Sequence, residues 1–231
     1  MGGGLKSFLK SAFPAGVPVY RRIRRLGRDL LSPPPAVEKV FSDIYRNNAW
    51  ADPESVSGRG STLARTAVVR KELPALLAEL GAGSLLDAPC GDFNWMRHVD
   101  LGRVDYKGAD VVPELIAQNR LKYGGARRQF VVLDITKDEV PRADLVLCRD
   151  CLIHLSFRHA RAAVANFKRS GSTYLLATTH AHERENVDIE SGSGRYVNLR
   201  LPPFNFPEPL RLITEDPELG KCLGLWRLKD L

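Results

Sequence analysis

The sequence contains no run of 18 or more apolar residues, so nothing in it reads as a membrane-spanning helix. Its first residues are apolar and basic, but Pro14 and Pro18 interrupt them and no small-residue cleavage site follows, so a secretory leader is not expected. Cysteine is sparse: there are four, and Cys90, Cys148 and Cys151 sit at the ends of apolar runs, the usage of reduced thiols rather than of a disulfide framework. The expected compartment is therefore the cytoplasm. The main body also lacks net charge. The chain carries +7, yet Lys6, Lys10, Arg21, Arg22, Arg24, Arg25 and Arg28 face Asp29 alone within residues 1–35, which leaves the rest close to neutral. A body without a basic face gives no reason to expect a nucleic-acid partner.

What is present is enough apolar residue for one α/β core: 231 residues, 44% hydrophobic. The organising stretch is Ser84-Leu85-Leu86-Asp87-Ala88-Pro89-Cys90-Gly91-Asp92-Phe93-Asn94-Trp95, a short apolar run that ends on a carboxylate and passes into Pro and Gly. A strand feeding a tight turn, with a helix from Phe93 behind it, is the reading. Tyr106 to Asp110, Phe130 to Asp134 and Ala143 to Asp150 repeat the pattern, and Asp110 falls about 20 residues on, where doubly wound folds place a ribose-binding acid. Asp87, Asp110, Asp134 and Asp150 then share one sheet edge, the edge at which open α/β sheets bind ligands. The glycines that a dinucleotide's pyrophosphate requires are missing, since Pro89 and Phe93 flank the lone Gly91. Nicotinamide chemistry is disfavoured on that ground.

The ordered segments Leu86-Asp87-Ala88-Pro89-Cys90-Gly91-Asp92, Gly108-Ala109-Asp110, Leu133-Asp134 and Asp144 to His154 resemble the motifs of class I S-adenosylmethionine-dependent methyltransferases. Within these the chain is similar, over roughly residues 41–231, to bacterial methyltransferase-domain proteins carrying DAPCGDFNWM and CRDCL(I/V)HLSF segments, some of which accompany polysaccharide-modifying genes. The resemblance implies a Rossmann-like, seven-stranded, mostly parallel sheet with the last strand antiparallel and helices on both faces. It implies S-adenosylmethionine as cofactor, with Asp110 on the ribose hydroxyls, Asp134 on the adenine amine, Ile135 against the ring and Asp87 near the loop or the methionine amine. Ala88, Pro89, Cys90, Gly91, Asn94, Val111, Arg149 and Ser61 complete the expected cofactor cradle. The acceptor it implies is a small molecule or a glycan, methylated on oxygen.

Two regions flank this core. Residues 1–35 read as a basic arm in which Ile23, Leu26, Leu30 and Leu31 recur at helical spacing, either a solvated arm or an amphipathic helix for an anionic membrane surface. Residues 36–231 form the expected catalytic domain. In it, helices are expected over Val37 to Arg46, Thr62 to Leu80 (capped by Ser61 or Thr62) and Pro113 to Tyr123, with the Ser55 to Thr62 segment closing over the cofactor. Helical structure is also expected from Asp150 to Phe157 and from Ala160 to Phe167. A fifth strand, Ser172 to Thr179, and a terminal hairpin, Pro209 to Thr214 and Lys221 to Leu228, complete the sheet. The long polar stretch His180 to Pro209 reads as a substrate-covering segment, with Phe204 and Phe206 as faces for a sugar or planar acceptor, or packed on the body.

Methyl transfer from a sulfonium is an in-line displacement, so a base is needed only to deprotonate the acceptor. His154, Asp150 and His180 are the candidates. Cys90, Cys148, Cys151 and His154 also make a permitted zinc ligand set, but buried thiols explain the cysteines, and no metal is expected. N-methylation of an amine or protein side chain, and a non-catalytic scaffold of the same fold using the arm to bind a membrane or partner, remain the alternatives.

Overall fold

A computed structural model describes residues 35–231, in which one compact unit runs from Val37 to Leu231. The basic arm expected before it lies, but for Pro35, outside the described residues. No helix among the described residues is long and apolar enough to cross a membrane.

Seven strands form one sheet in the order β3-β2-β1-β4-β5-β7-β6. These are β1 (Ser84–Asp87), β2 (Asp105–Asp110), β3 (Arg128–Val132), β4 (Leu145–Cys148), β5 (Tyr174–His180), β6 (Arg211–Asp216) and β7 (Lys221–Arg227). Only β7 runs against the rest. Helices α1 (Val37–Arg46), α2 (Ala67–Glu79), α3 (Pro113–Tyr123) and α4 (Phe157–Arg169) accompany it. The central strands are buried on both faces, which is why their sequences read as unbroken apolar runs. Alternation divides them between two cores. Leu86, Val146, Leu175 and Trp226 pack with Ala160, Ala163 and Phe167 of α4, while Leu85, Leu145, Leu147 and Leu223 pack with Val69, Leu73, Leu76 and Leu77 of α2. α3 starts on Pro113, where a missing N–H costs nothing, and Ser156 caps α4 by accepting from His159 N.

Several elements differ from expectation. No α-helix forms behind the β1 loop: Gly91 and Phe93 take φ of +53° and +60°, and only a 3-10 turn at Met96–His98 follows. Phe93 turns its ring into a cluster with Tyr106, Tyr123 and Phe130, with centroids 5.1 to 5.2 Å away, and Asp92 Oδ1 takes the Asn94 N–H. Aromatic burial and this local turn outcompete the helix. α2 starts at Ala67, with Thr66 rather than Ser61 or Thr62 at its N-cap and no side-chain cap bond. β3 and β4 stop short of their acids, so Asp134 and Asp150 sit in the turns above the sheet. After β4 the chain makes a 3-10 turn at Leu152–His154 before α4, not one longer helix.

The stretch between β5 and β6 has neither helix nor strand, but it is tied down. Asn186 Nδ2 donates to Asn198 O and Pro202 O, both at 2.8 Å, and Thr179 Oγ1 accepts from Leu199 N at 3.0 Å. Phe204 lies on Phe157, and Phe206 lies on Trp226, whose Nε1 donates to Pro207 O. The expected stacking faces are thus used in packing.

One glycine in β2 is fixed by this packing. A Cβ at Gly108 would stand 2.7 Å from the Phe130 ring and 3.0 Å from Tyr106. Gly108→Ala is expected to cost about 1–3 kcal/mol by overpacking, read as a lower urea midpoint with an unchanged slope.

Candidate functional site

Above the carboxyl ends of the parallel strands lies a cavity of about 620 Å³. Its floor is the β1 loop and the turns after β2, β3 and β4, and its walls come from α1, the segment Trp50 to Ser61, the start of α2 and the β6–β7 hairpin. The position follows from topology: β1 lies between β2 and β4, so the crossovers leave in opposite directions and a crevice opens between them.

One half of the cavity is built on Asp87, Asp110 and Asp134. Asp110 accepts from Gly91 N and Val112 N, both at 3.1 Å, yet burial still pushes its carboxyl up to about 6. Asp87 accepts from Tyr106 Oη at 2.8 Å, and burial pushes it up to about 7 against that bond and the charge of Arg149. Asp134 accepts from Thr136 N and Oγ1 and lies 3.4 Å from Lys137 Nζ. Val111, Leu115, Leu133 and Ile135 supply apolar surface between them.

The lid of this half is a strap held by one carboxylate. Asp92 Oδ2 accepts from Ser55 Oγ at 2.8 Å and Val56 N at 3.0 Å, while Asp92 N donates to Ser57 Oγ at 2.9 Å. A Cβ at Gly91 would stand 2.3 Å from that Ser57 oxygen, so the strap can close only on glycine. Beneath it Asn94 Nδ2 donates to Glu54 Oε1 and Ser61 O.

The other half is a charge lattice with two histidines. Asp150, held at φ +49°, accepts from Lys221 Nζ at 2.7 Å and from Thr178 Oγ1, and lies 3.2 Å from Arg149 Nη1. Burial pushes its carboxyl up, but Arg149 and Lys221 outweigh this and hold it below the ordinary value. Arg149 stacks on Trp95 and donates to Gly60 O and to Glu215 Oε1. His154 packs against Trp50 with the rings tilted by 36°, and its Nδ1 lies 2.9 Å from Ser193 O, a partner that can only accept. Nδ1 therefore carries the proton and Nε2 keeps its lone pair; burial lowers this His below its ordinary value, so it is neutral. His180 is the reverse. Its Nδ1 accepts from Val197 N at 3.4 Å, which puts the proton on Nε2, and its ring stacks on Tyr196.

Of the residues expected to form the site, Ser61, Asp87, Pro89, Cys90, Gly91, Asp110, Val111, Asp134, Ile135, Arg149, Asp150, His154 and His180 all line the cavity. Ala88 and Asn94 do not: Ala88 is sealed beneath the sheet edge, and Asn94 braces the strap from below. Asp150 is unsuited to act as a base, because two cations and a threonine already hold it. His180 presents a donor rather than a lone pair. Among the described residues no three His, Cys, Asp or Glu side chains converge to hold a metal ion, and Cys90 and Cys148 belong to different cores. Sequence reasoning missed Glu215, Lys221, Trp50 as the partner of His154, and Tyr196. An acid and a lysine on either side of the last turn were the available signal for the first two.

Removing the strap's anchor separates its role from that of the core. Asp92→Ala is expected to cost about 1–3 kcal/mol and to raise amide exchange across residues 54–62, with the β-strands still protected. A second expectation concerns pH. A folded-state value raised above the unfolded one means that the native state holds the extra proton, so Asp87 contributes stability below about pH 4 that is lost as pH rises toward about 7. The lowered histidines 154, 159 and 180 work in the opposite sense, so the informative quantity is a difference. Asp87→Asn is expected to gain melting temperature over the wild type as pH rises from about 4 to about 7, the gap widening through that window. A constant gap would contradict the assignment.

No protein-family model matches the chain, and no curated protein matches its sequence. Solved structures match its fold. Human N-acetylserotonin methyltransferase, in complex with S-adenosylmethionine, superposes with a TM-score of 0.59 at 14% identity over 84% of this chain, which spans only 60% of that one. Magnesium protoporphyrin IX methyltransferase from Synechocystis PCC 6803, also with bound S-adenosylmethionine, gives 0.56 at 12% identity, covering 85% of this chain and 99% of that one. The 1,6-didemethyltoxoflavin-N1-methyltransferase of Burkholderia thailandensis, with bound 1,6-didemethyltoxoflavin and S-adenosylhomocysteine, gives 0.56 at 17% identity over 85% and 92% of the two chains. At these identities the likeness establishes architecture. The chain has the class I methyltransferase fold, with a seven-stranded sheet in which one strand is reversed.

Proposed function

We propose that this chain is an S-adenosylmethionine-dependent methyltransferase acting on a small-molecule acceptor, with oxygen as the methylated atom. The observation that carries the reading is the cavity itself: on this fold, buried carboxylates end β2 and follow β3, and apolar surface lies between them. The residues suit the cofactor. Asp110 spends each oxygen on one backbone N–H and keeps lone pairs for two ribose hydroxyls, Asp134 can accept from an adenine amine, and no phosphate cradle competes.

S-adenosylmethionine, when bound, supplies a methyl carbon made electrophilic by a sulfonium. The protein's share is alignment and proton removal. His154 Nε2 takes the proton of an acceptor hydroxyl, while Nδ1–H stays on Ser193 O and fixes the ring. His180 Nε2–H steadies the acceptor oxygen, and Trp50 and Tyr196 shield the two imidazoles. Phe204 and Phe206, packed on the body, give no face for a sugar, so a small molecule is preferred to a glycan. The basic arm at residues 1–35 would add contact with an anionic membrane surface through its lysines and arginines.

Calorimetric titration with S-adenosylhomocysteine tests the cofactor site. Asp110→Ala is expected to weaken binding roughly tenfold to a hundredfold, the worth of hydrogen bonds to a charged group. His154→Asn, whose amide can still donate to Ser193 O, is expected to keep that binding and to lose about 10²- to 10⁴-fold in turnover in an acceptor screen. No binding by folded wild type would overturn the reading.

A further inference from the structure

The part of the cavity that carries His154 and His180 is walled by aromatic rings. Trp50 packs against His154 with centroids 5.2 Å apart and against Phe41 at 6.2 Å, and Tyr196 stacks on His180 at 4.6 Å with the planes 28° apart. Tyr196 is nonetheless 48% exposed, and Leu219 in the β6–β7 turn is 39% exposed, both on the cavity lining. Val56 of the strap and Val68 of α2 are exposed on the same lining. Large apolar side chains left open around one cavity mark a ligand groove.

The charges beside these rings cancel. Arg149 and Lys221 face Asp150 and Glu215, and Arg65 Nη1 lies 2.9 Å from Asp216 Oδ2. A charged acceptor would leave water with no opposite charge in this set free to receive it, which favours a neutral one. Arg59, exposed on the strap, is a lining cation outside the set. Size narrows the choice further. A cavity of about 620 Å³ lies within the range that holds one drug-sized ligand, and the cofactor alone is of that size, so the share left fits a compact ring system.

The base has its own preference. His154 is a neutral imidazole that burial holds below its ordinary value, and it must take the acceptor's proton. A phenol, with a pKa of about 10, is far closer to imidazole at about 6.5 than is an alkyl hydroxyl near water at about 15.7. The smaller gap is the one a positioned imidazole closes as the new bond forms.

We propose that the acceptor is a neutral aromatic alcohol, a phenol or naphthol ring seated against Trp50 and Tyr196 with its hydroxyl held by His154 and His180. This substrate class rests on the methyltransferase reading above. The hydroxyl oxygen bonds to the methyl carbon as the carbon–sulfur bond breaks, that bond's electron pair staying on sulfur. The hydroxyl proton passes to His154 Nε2 and from there to water, so the products are an aryl methyl ether, S-adenosylhomocysteine and a proton.

The test saturates the full chain with S-adenosylhomocysteine and titrates 2-naphthol, its saturated counterpart decahydro-2-naphthol, 2-naphthoate and methyl glucoside by calorimetry. 2-Naphthol is expected to bind at least about tenfold tighter than each of the others, the worth of aromatic packing beyond buried area. Tyr196→Leu, at a half-exposed position, is expected to weaken 2-naphthol about threefold to tenfold and to leave S-adenosylhomocysteine binding unchanged. With S-adenosylmethionine in place of the product, 2-methoxynaphthalene should form. Decahydro-2-naphthol bound as tightly as 2-naphthol overturns the proposal, because the cavity then has no use for the ring. Tighter 2-naphthoate or methyl glucoside overturns it in favour of an anionic or a sugar acceptor. So does failure of all these probes to bind, a Tyr196→Leu that binds 2-naphthol like the wild type, or a bound 2-naphthol that is never methylated. Each of these results leaves the cofactor site standing; failure of S-adenosylhomocysteine itself to bind would instead overturn the methyltransferase reading.

Discussion

A sheet buried on both faces must gather its polar residues at its ends, and here the end that matters collects carboxylates in a place where little water reaches. How each is partnered determines what stands above the sheet. Asp92 faces outward and takes the hydroxyls and backbone of Ser55 to Ser57, which brings the strap across the cavity. Asp110 and Asp87 face inward with too few partners, and burial raises both. Asp150 has two cations, which keep it charged and fix the hairpin to the turn after β4.

These unequal partnerships give the cavity two characters. Beneath the strap, raised carboxylates meet apolar walls, a setting that favours neutral hydroxyl and amine donors on a flat ring. Beneath the hairpin, four charges and two neutral histidines set a polar surface, with Nε2 a lone pair on His154 and an N–H on His180. The asymmetry arises from which strand ends attract lysine and arginine, and the proposed function uses it by setting a nucleoside on one side of β1 and an acceptor on the other.

Much of this was legible in the chain because buried parallel strands advertise themselves. Leu85, Leu86, Asp87 and Leu145 to Cys148 are continuous apolar runs that stop where the sheet stops, and Pro113 marks a helix start without ambiguity. The misreadings came where distant contacts overrule local pattern. Phe93 looks like a residue of a helical turn until Tyr106, Tyr123 and Phe130 claim its ring. Asn94 is expected in the cofactor cradle, yet Glu54 and Ser61 O use its amide. Glu215 was legible only as an acid before the last turn; the bulge at its position exists only in the register between β6 and β7, which no single strand's sequence displays. The tautomers of His154 and His180 likewise depend on Ser193 and Val197, residues of a stretch with no regular structure.

The central claim is that the crevice on either side of β1 holds an adenosyl group with its ribose on Asp110. A crystal structure of the protein with S-adenosylhomocysteine tests it most directly. The account predicts both ribose hydroxyls at about 3 Å from the Asp110 carboxylate, with adenine between Val111 and Ile135. A ligand bound elsewhere, or an Asp110 that still contacts only Gly91 and Val112 beside an occupied cavity, would contradict it.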